Sequence, residues 1–137
     1  MSSPLAVAVR TYKALAHPVR LRLLAMLRGG ELCVCQMTAV TGLAASTVSA
    51  HLSDLKSAGL LVERKEGRWV SYAWSTDGDA RRVSAELQTR LVGDPQVAAD
   101  ARLVRDLRKV EVEELCRVDL DLKRLGIRRP AVAGVLR

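Results

Sequence analysis

The 137-residue chain contains no phenylalanine, and its aromatic residues amount to two tryptophans and two tyrosines. A core without large rings has to be built from Leu, Val and Ala, as in a mostly helical protein. Long apolar runs are missing too. The best of them, residues 21–27, is short and interrupted by charge, so no segment is expected to span a bilayer. No secretory signal is read at residues 1–16. The three cysteines are an odd number without an export signal, which argues against a disulfide framework and for reduced thiols in the cytoplasm. Histidine is nearly absent: the chain has two, and residues 76–137 have none.

The formal charge of +7 is unevenly spread. Residues 1–75 carry nine Lys/Arg against four Asp/Glu, residues 76–122 carry eight against eleven, and residues 123–137 carry five basic residues and no acid. A basic front half and a basic tail suit a polyanionic partner. The length suits one small domain, expected over residues 1–125, with residues 126–137 as a basic, mobile tail. Dimerisation would add buried surface to a modest core.

Helix signals begin at residues 5–15, and Pro18 is placed as the first residue of a new helix over residues 19–28, ended by Gly29 and Gly30. His17, beside that proline, reads as a capping or surface residue rather than a ligand. A short helix is expected over residues 33–40 and another over residues 45–57, stopped at Gly42 and Gly59. Two helices joined by a tight glycine-containing turn form a helix-turn-helix. On the second, Val48, Leu52 and Leu55 recur at helical spacing and should face the core. Ser46, Thr47, Ser49, Ala50, His51 and Ser53 occupy the other faces, so short hydrogen-bonding side chains dominate where a major groove would be read.

Residues 60–62 and 69–74 look like two strands joined by Glu63-Arg64-Lys65-Glu66-Gly67-Arg68. A β-hairpin with a basic tip after a helix-turn-helix is the pattern of a winged helix, and Arg64, Lys65 and Arg68 would reach phosphates or a minor groove. Helix resumes over residues 80–91, breaks at Gly93-Asp94-Pro95, and runs on as a long segment over residues 97–125. Its apolar stripe of Leu103, Leu107 and Val110, resumed by Leu115, Val118, Leu122 and Leu125, is expected to form part of a dimer interface. The fold class that follows is mostly α with a small β-hairpin.

Cys33 and Cys35 lie just ahead of this helix-turn-helix. Thiolates favour soft ions, and a helix start stabilises ionised sulfur. In an undistorted helix, residues two apart point to opposite sides, about 200° around the axis. Sharing an ion therefore requires that the pair sit at a frayed first turn or distort it. Two sulfurs also leave trivalent arsenic or antimony short of three ligands, and zinc or cadmium short of four. Cys116 is the one further cysteine; it is either a third ligand, from the same subunit or another, or an inert apolar-face thiol. A thiol enzyme would want a nucleophile beside an anion-cradling loop, or two cysteines spaced by two residues near a strand, and neither is present. No enzymatic role is expected.

Four pieces taken together resemble the ArsR/SmtB family of metal-responsive repressors: Ala-Leu-Ala-His-Pro-Val-Arg-Leu-Arg-Leu-Leu at residues 14–24, Glu-Leu-Cys-Val-Cys at 31–35, Ser-Thr-Val-Ser-Ala-His-Leu at 46–52, and Ala-Gly-Leu-Leu-Val at 58–62 running on to Gly67-Arg68. The resemblance implies a winged-helix homodimer joined through N- and C-terminal helices, needing no cofactor to bind an inverted-repeat DNA operator and leaving it when metal binds. It assigns Ser46, Thr47, Ser49 and His51 to DNA, with Arg64, Lys65 and Arg68 on the wing. The family commonly has histidine where this chain has Ala50, which points to a different base preference. The arsenic branch often has another cysteine three positions beyond the second, where this chain has Thr38. Zinc, cobalt and nickel sensing in the family relies on C-terminal histidines, which are missing here. The cadmium/lead branch adds N-terminal cysteines, and residues 1–32 have none. The resemblance thus implies a repressor released by trivalent arsenic or antimony through Cys33, Cys35 and Cys116. A cadmium/lead-responsive repressor or a thiol redox-sensing repressor is the alternative.

Overall fold

The computed structural model describes residues 3–132, so residues 133–137 of the expected mobile tail lie outside the described residues. Three helices start on the same local device, a polar cap followed by proline. In α1 (Pro4–Leu15), Ser3 Oγ accepts from Ala6 N; in α2 (Pro18–Met26), His17 Nδ1 accepts from Val19 N; in α6 (Pro95–Leu107), Asp94 Oδ2 accepts from Val97 N. Each cap satisfies an amide that the first turn leaves without a partner, and proline there gives up no hydrogen bond. His17 is therefore a cap, as its position implies.

A 3-10 turn, Leu27–Gly29, follows α2 and leads to β1 (Leu32–Cys33), α3 (Val34–Thr41) and α4 (Ala45–Ser57). Gly42 ends α3 in the left-handed conformation (φ 70°), a turn that costs a side-chain-bearing residue about 1 to 2 kcal/mol and glycine little. Met37 of α3 and Val48, Leu52 and Leu55 of α4 are wholly buried against Leu23 and Leu24 of α2. The expected inward face of the second helix is the observed one.

The strands β2 (Leu61–Glu66) and β3 (Trp69–Trp74) form a longer hairpin than the sequence suggests. Arg64 and Lys65 are strand residues, and only Gly67 and Arg68 make the turn. The short β1 adds to the free side of β3, giving the antiparallel order β1-β3-β2. Trp74 Nε1 donates to the carbonyl of Leu24 at 3.0 Å and pins the hairpin to α2.

After α5 (Gly78–Arg90), the long segment expected over residues 97–125 is broken into α6, α7 (Val112–Arg117) and a 3-10 turn, Leu122–Leu125. The break after α7 passes through Asp119 and Leu120, both at positive φ (54° and 60°). The stripe expected to form part of a dimer interface is largely buried within the chain itself: Leu103, Leu107, Leu115, Val118 and Leu122 are all under a tenth exposed. The physical reason is folding back, with α6 lying on α2 and α3 and α7 lying on α3. Three cationic tethers hold this C-terminal layer. Arg22 of α2 grips the buried Asp100 of α6 with two bonds of 2.8 and 2.9 Å, Arg108 donates to the carbonyls of Gly30 and Glu31 at 3.1 Å each, and Arg129 donates to the carbonyls of Ala39 and Val40 at the end of α3. Among the described residues, no helix is long and apolar enough to cross a membrane.

Candidate metal centre and nucleic-acid interface

Cys33 is the residue that caps α3. Its backbone is extended (φ −72°, ψ 148°) because it is still paired with Ser71 of β3, whereas Cys35 already belongs to the first helical turn. The 200° separation of an ideal helix therefore does not apply. The two sulfurs face each other at 2.9 Å, and the Cys35 thiol donates to Cys33. The Cys33 N–H is in turn accepted by Gln36 Oε1 at 2.7 Å, which fixes the residue in place.

That arrangement splits the two thiols electrostatically. The Cys35 hydrogen bond, helped by the amides of Cys35, Gln36 and Val70, outweighs burial and lowers Cys33 to a pKa of about 6. Cys35 moves the other way, raised first by its bond to Cys33, then by burial and by the negative charge that Cys33 and Cys116 would carry. The two shifts are opposed, so Cys33 is the thiol of the pair that ionises first.

Cys116, half-exposed on α7, sits near enough to Cys35 to raise its pKa both through space and through a sulfur hydrogen bond. The packing of α7 on α3 thus brings all three cysteines of one chain to the start of α3. Among the described residues, however, no three His, Cys, Asp or Glu side chains are gathered into a ready-made metal site. Two sulfurs are in contact and the third stands beside them.

The face of α4 opposite Val48, Leu52 and Leu55 leaves Ser46, Thr47 and Ser49 exposed to solvent. His51 differs, being half-buried on the flank toward α2. Its Nδ1 accepts from Arg20 Nε at 3.1 Å, its ring centroid lies 4.4 Å from that of His17, and Arg20 also holds Asp54 at 2.7 Å. Both imidazoles accept at Nδ1, which only the neutral ring can do. Burial, His17 and Arg20 together outweigh Asp54 and hold the His51 pKa below the usual histidine value.

On the hairpin, Lys65 is extended into solvent with a loose 3.8 Å approach to Glu63, and the Arg68 guanidinium lies 4.6 Å above the Trp69 ring at the tip. Arg64 is not available in the same way, because Glu31 and Glu66 bind its guanidinium. Glu31 belongs to the Glu-Leu-Cys-Val-Cys run, where nothing in the sequence marks it as the partner of Arg64. Arg20 and Arg108 were likewise missed, and nothing in the local pattern of an arginine announces which distant carbonyl or imidazole it will hold.

The description "Bacterial regulatory protein, arsR family" matches residues 17–62. Over 62 residues the chain is 44% identical to the arsenic resistance transcriptional regulator ArsR1 of Pseudomonas putida, covering 44% of this chain and 48% of that protein. It is 41% identical over 85 residues to the HTH-type transcriptional regulator CmtR of Mycobacterium tuberculosis, covering 62% of this chain and 72% of that one. Among solved structures it resembles the homodimeric winged helix-turn-helix DNA-binding domain of a possible ArsR-family regulator from Mycobacterium bovis, with TM-score 0.57, 35% identity, and coverage of 66% of this chain and 87% of that one. The chain spans about half to three-fifths of the length of ArsR1 and of two other arsenical-resistance repressors that it matches. The fold and the relatives are those of transcriptional regulators and not of enzymes.

Proposed function

The chain belongs to the bacterial ArsR family of regulatory proteins, and from that premise we propose that it is a homodimeric DNA-binding repressor, released from its operator when Cys33, Cys35 and Cys116 capture trivalent arsenic or antimony. The carrying observation is the 2.9 Å contact between Cys33 and Cys35 at the start of the first helix of the helix-turn-helix, with Cys116 beside Cys35. Trivalent arsenic takes soft ligands, and three thiolates satisfy it without imidazole. Cys33, the more readily ionised thiol, would supply the first sulfur; for each As–S bond formed an As–OH bond of arsenous acid would break, its hydroxide leaving as water with a thiol proton, so binding three sulfurs would release three waters.

Drawing in Cys116 would pull α7 against the start of α3. Because α3 packs directly on α4, a shift of its first turn is passed to the helix that presents Ser46, Thr47 and Ser49. These side chains, with Lys65 and Arg68 on the wing, form the DNA-facing surface in this reading. Its cytoplasmic place follows from the same role. A dimer sets two recognition helices about one DNA turn (~10 bp) apart, which calls for an inverted repeat.

Operator binding measured with and without arsenite tests the proposal. Wild type should lose affinity on saturation with arsenite, and Cys33→Ser, Cys35→Ser and Cys116→Ser should each keep it. X-ray absorption should count three sulfurs around arsenic in wild type and fewer in Cys116→Ser. Undiminished operator binding with arsenic bound, or release by cadmium or lead alone, would sink the arsenic reading. A thiol redox-sensing repressor is the second reading, and the lowered pKa of Cys33 beside a second sulfur favours it. Mass spectrometry after peroxide separates the two, because only the redox reading requires a disulfide to accompany release.

A further inference from the structure

Arg64 lies where a phosphate contact was expected, yet two carboxylates already engage three of the five N–H donors of its guanidinium. Nε and Nη2 hold Glu31 at 2.9 and 2.5 Å, and Nη1 holds Glu66 at 2.5 Å. A phosphate would have to compete with two carboxylates whose charge-assisted bonds already hold and partly neutralise that fork. Glu31 stands two residues ahead of Cys33, and the main chain there is itself anchored by Arg108 through the carbonyls of Gly30 and Glu31. The sheet makes the same link a second time. Cys33 pairs with Ser71 and Ser71 pairs with Arg64, so the thiol-bearing residue and the wing arginine occupy one row across three strands.

Backbone ladder and side-chain fork therefore join the same two places, the strand that carries Cys33 and the wing. We propose that Glu31 and Arg64 are positioning residues that carry the state of the thiol site to the wing, with Arg64 acting as a tie and not as a phosphate contact. The inference rests on the function proposed above, in which thiol ligation controls DNA binding. When Cys33 shifts on ligation, the row moves β2 with it and the fork holds the angle of the movement, so Lys65 and Arg68 leave the position that suits DNA. The pair is partly exposed, at 55% and 35% of the side chains, so it adds little to global stability. Its loss should change the coupling and spare the fold.

The test uses full-length protein, arsenite, and the DNA duplex that wild type selects from a randomised pool. Glu31→Gln keeps the shape of the partner and removes its charge; Arg64→Lys keeps the cation and removes the fork. Both variants should bind arsenite as wild type does and retain their affinity for the duplex in its absence. The arsenite-induced loss of affinity should shrink by about fivefold or more in each, within the usual range of coupling between two sites. An unchanged arsenite-induced loss in both variants would overturn the tie. So would the signature of a phosphate contact, in which Arg64→Gln weakens the duplex and lowers the salt slope by about one per contact while Glu31→Gln leaves the arsenite response intact. Failure of wild type to respond to arsenite is a separate result, which removes the arsenic reading and this inference with it.

Discussion

His51 stands on α4, the helix proposed above to face DNA, but its imidazole works mainly for the fold. It accepts from Arg20, packs at a tilt against His17 and bridges α4 to α2 as a neutral ring. Its pKa in the folded chain lies below the ordinary value of 6.5, so folding favours the unprotonated form. The stabilisation is complete above that ordinary value and is lost as pH falls through the lowered one, because the unfolded chain then binds a proton that the folded chain resists. Denaturant midpoints taken between about pH 7.5 and pH 5.5 should fall in wild type and fall less steeply in His51→Gln, whose amide oxygen can still accept from Arg20. Equal slopes would show that His51 carries no such linkage. Asp100 poses a similar single-residue question. It is 2% exposed and satisfied by Arg22 and by Gln96, so Asp100→Ala leaves a largely buried guanidinium without its partner. A loss of about 3 kcal/mol is expected, read from the shift of the unfolding midpoint.

At the scale of elements, α4 was legible because Val48, Leu52 and Leu55 recur at helical spacing with polar residues between them, and the structure buries those three. The winged helix-turn-helix was legible for the same kind of reason, since glycines and strand-forming runs punctuate residues 42–74. Two features were not. A two-residue strand such as Leu32–Cys33 has no periodicity to display, and its pairing with β3 is what frees Cys33 from helical geometry. Nor could the sequence show that the stripe of α6 and α7 covers its own chain, because an apolar face reads alike whether it meets α3 or a second copy. The layer so formed holds α3 at both ends, through Arg108 ahead of it and Arg129 behind it. Arg129→Ala should cost about 1 kcal/mol and speed amide exchange selectively in α3. If exchange rises evenly over the whole protein, the tether has no local role.

For the whole molecule, the surface that the chain leaves uncovered decides how it would assemble. With the C-terminal stripe folded inward, an exposed apolar face remains on α1, where Leu5, Val9 and Tyr12 recur at helical spacing and are 76%, 44% and 71% exposed. Burying that face against a second copy is the simplest use for it, and it would place two α4 helices in one assembly. Leu5→Glu combined with Tyr12→Glu adds charge to the face and touches none of the buried core. The double variant should keep its helical circular dichroism, run as a monomer by light scattering where wild type runs as a dimer, and lose most of its operator affinity because each half-site must then be bound separately. The same variant should still bind arsenite, since Cys116 stands beside Cys35 within one chain. Loss of arsenite binding on monomerisation would mean that the third sulfur reaches the pair from the neighbouring subunit.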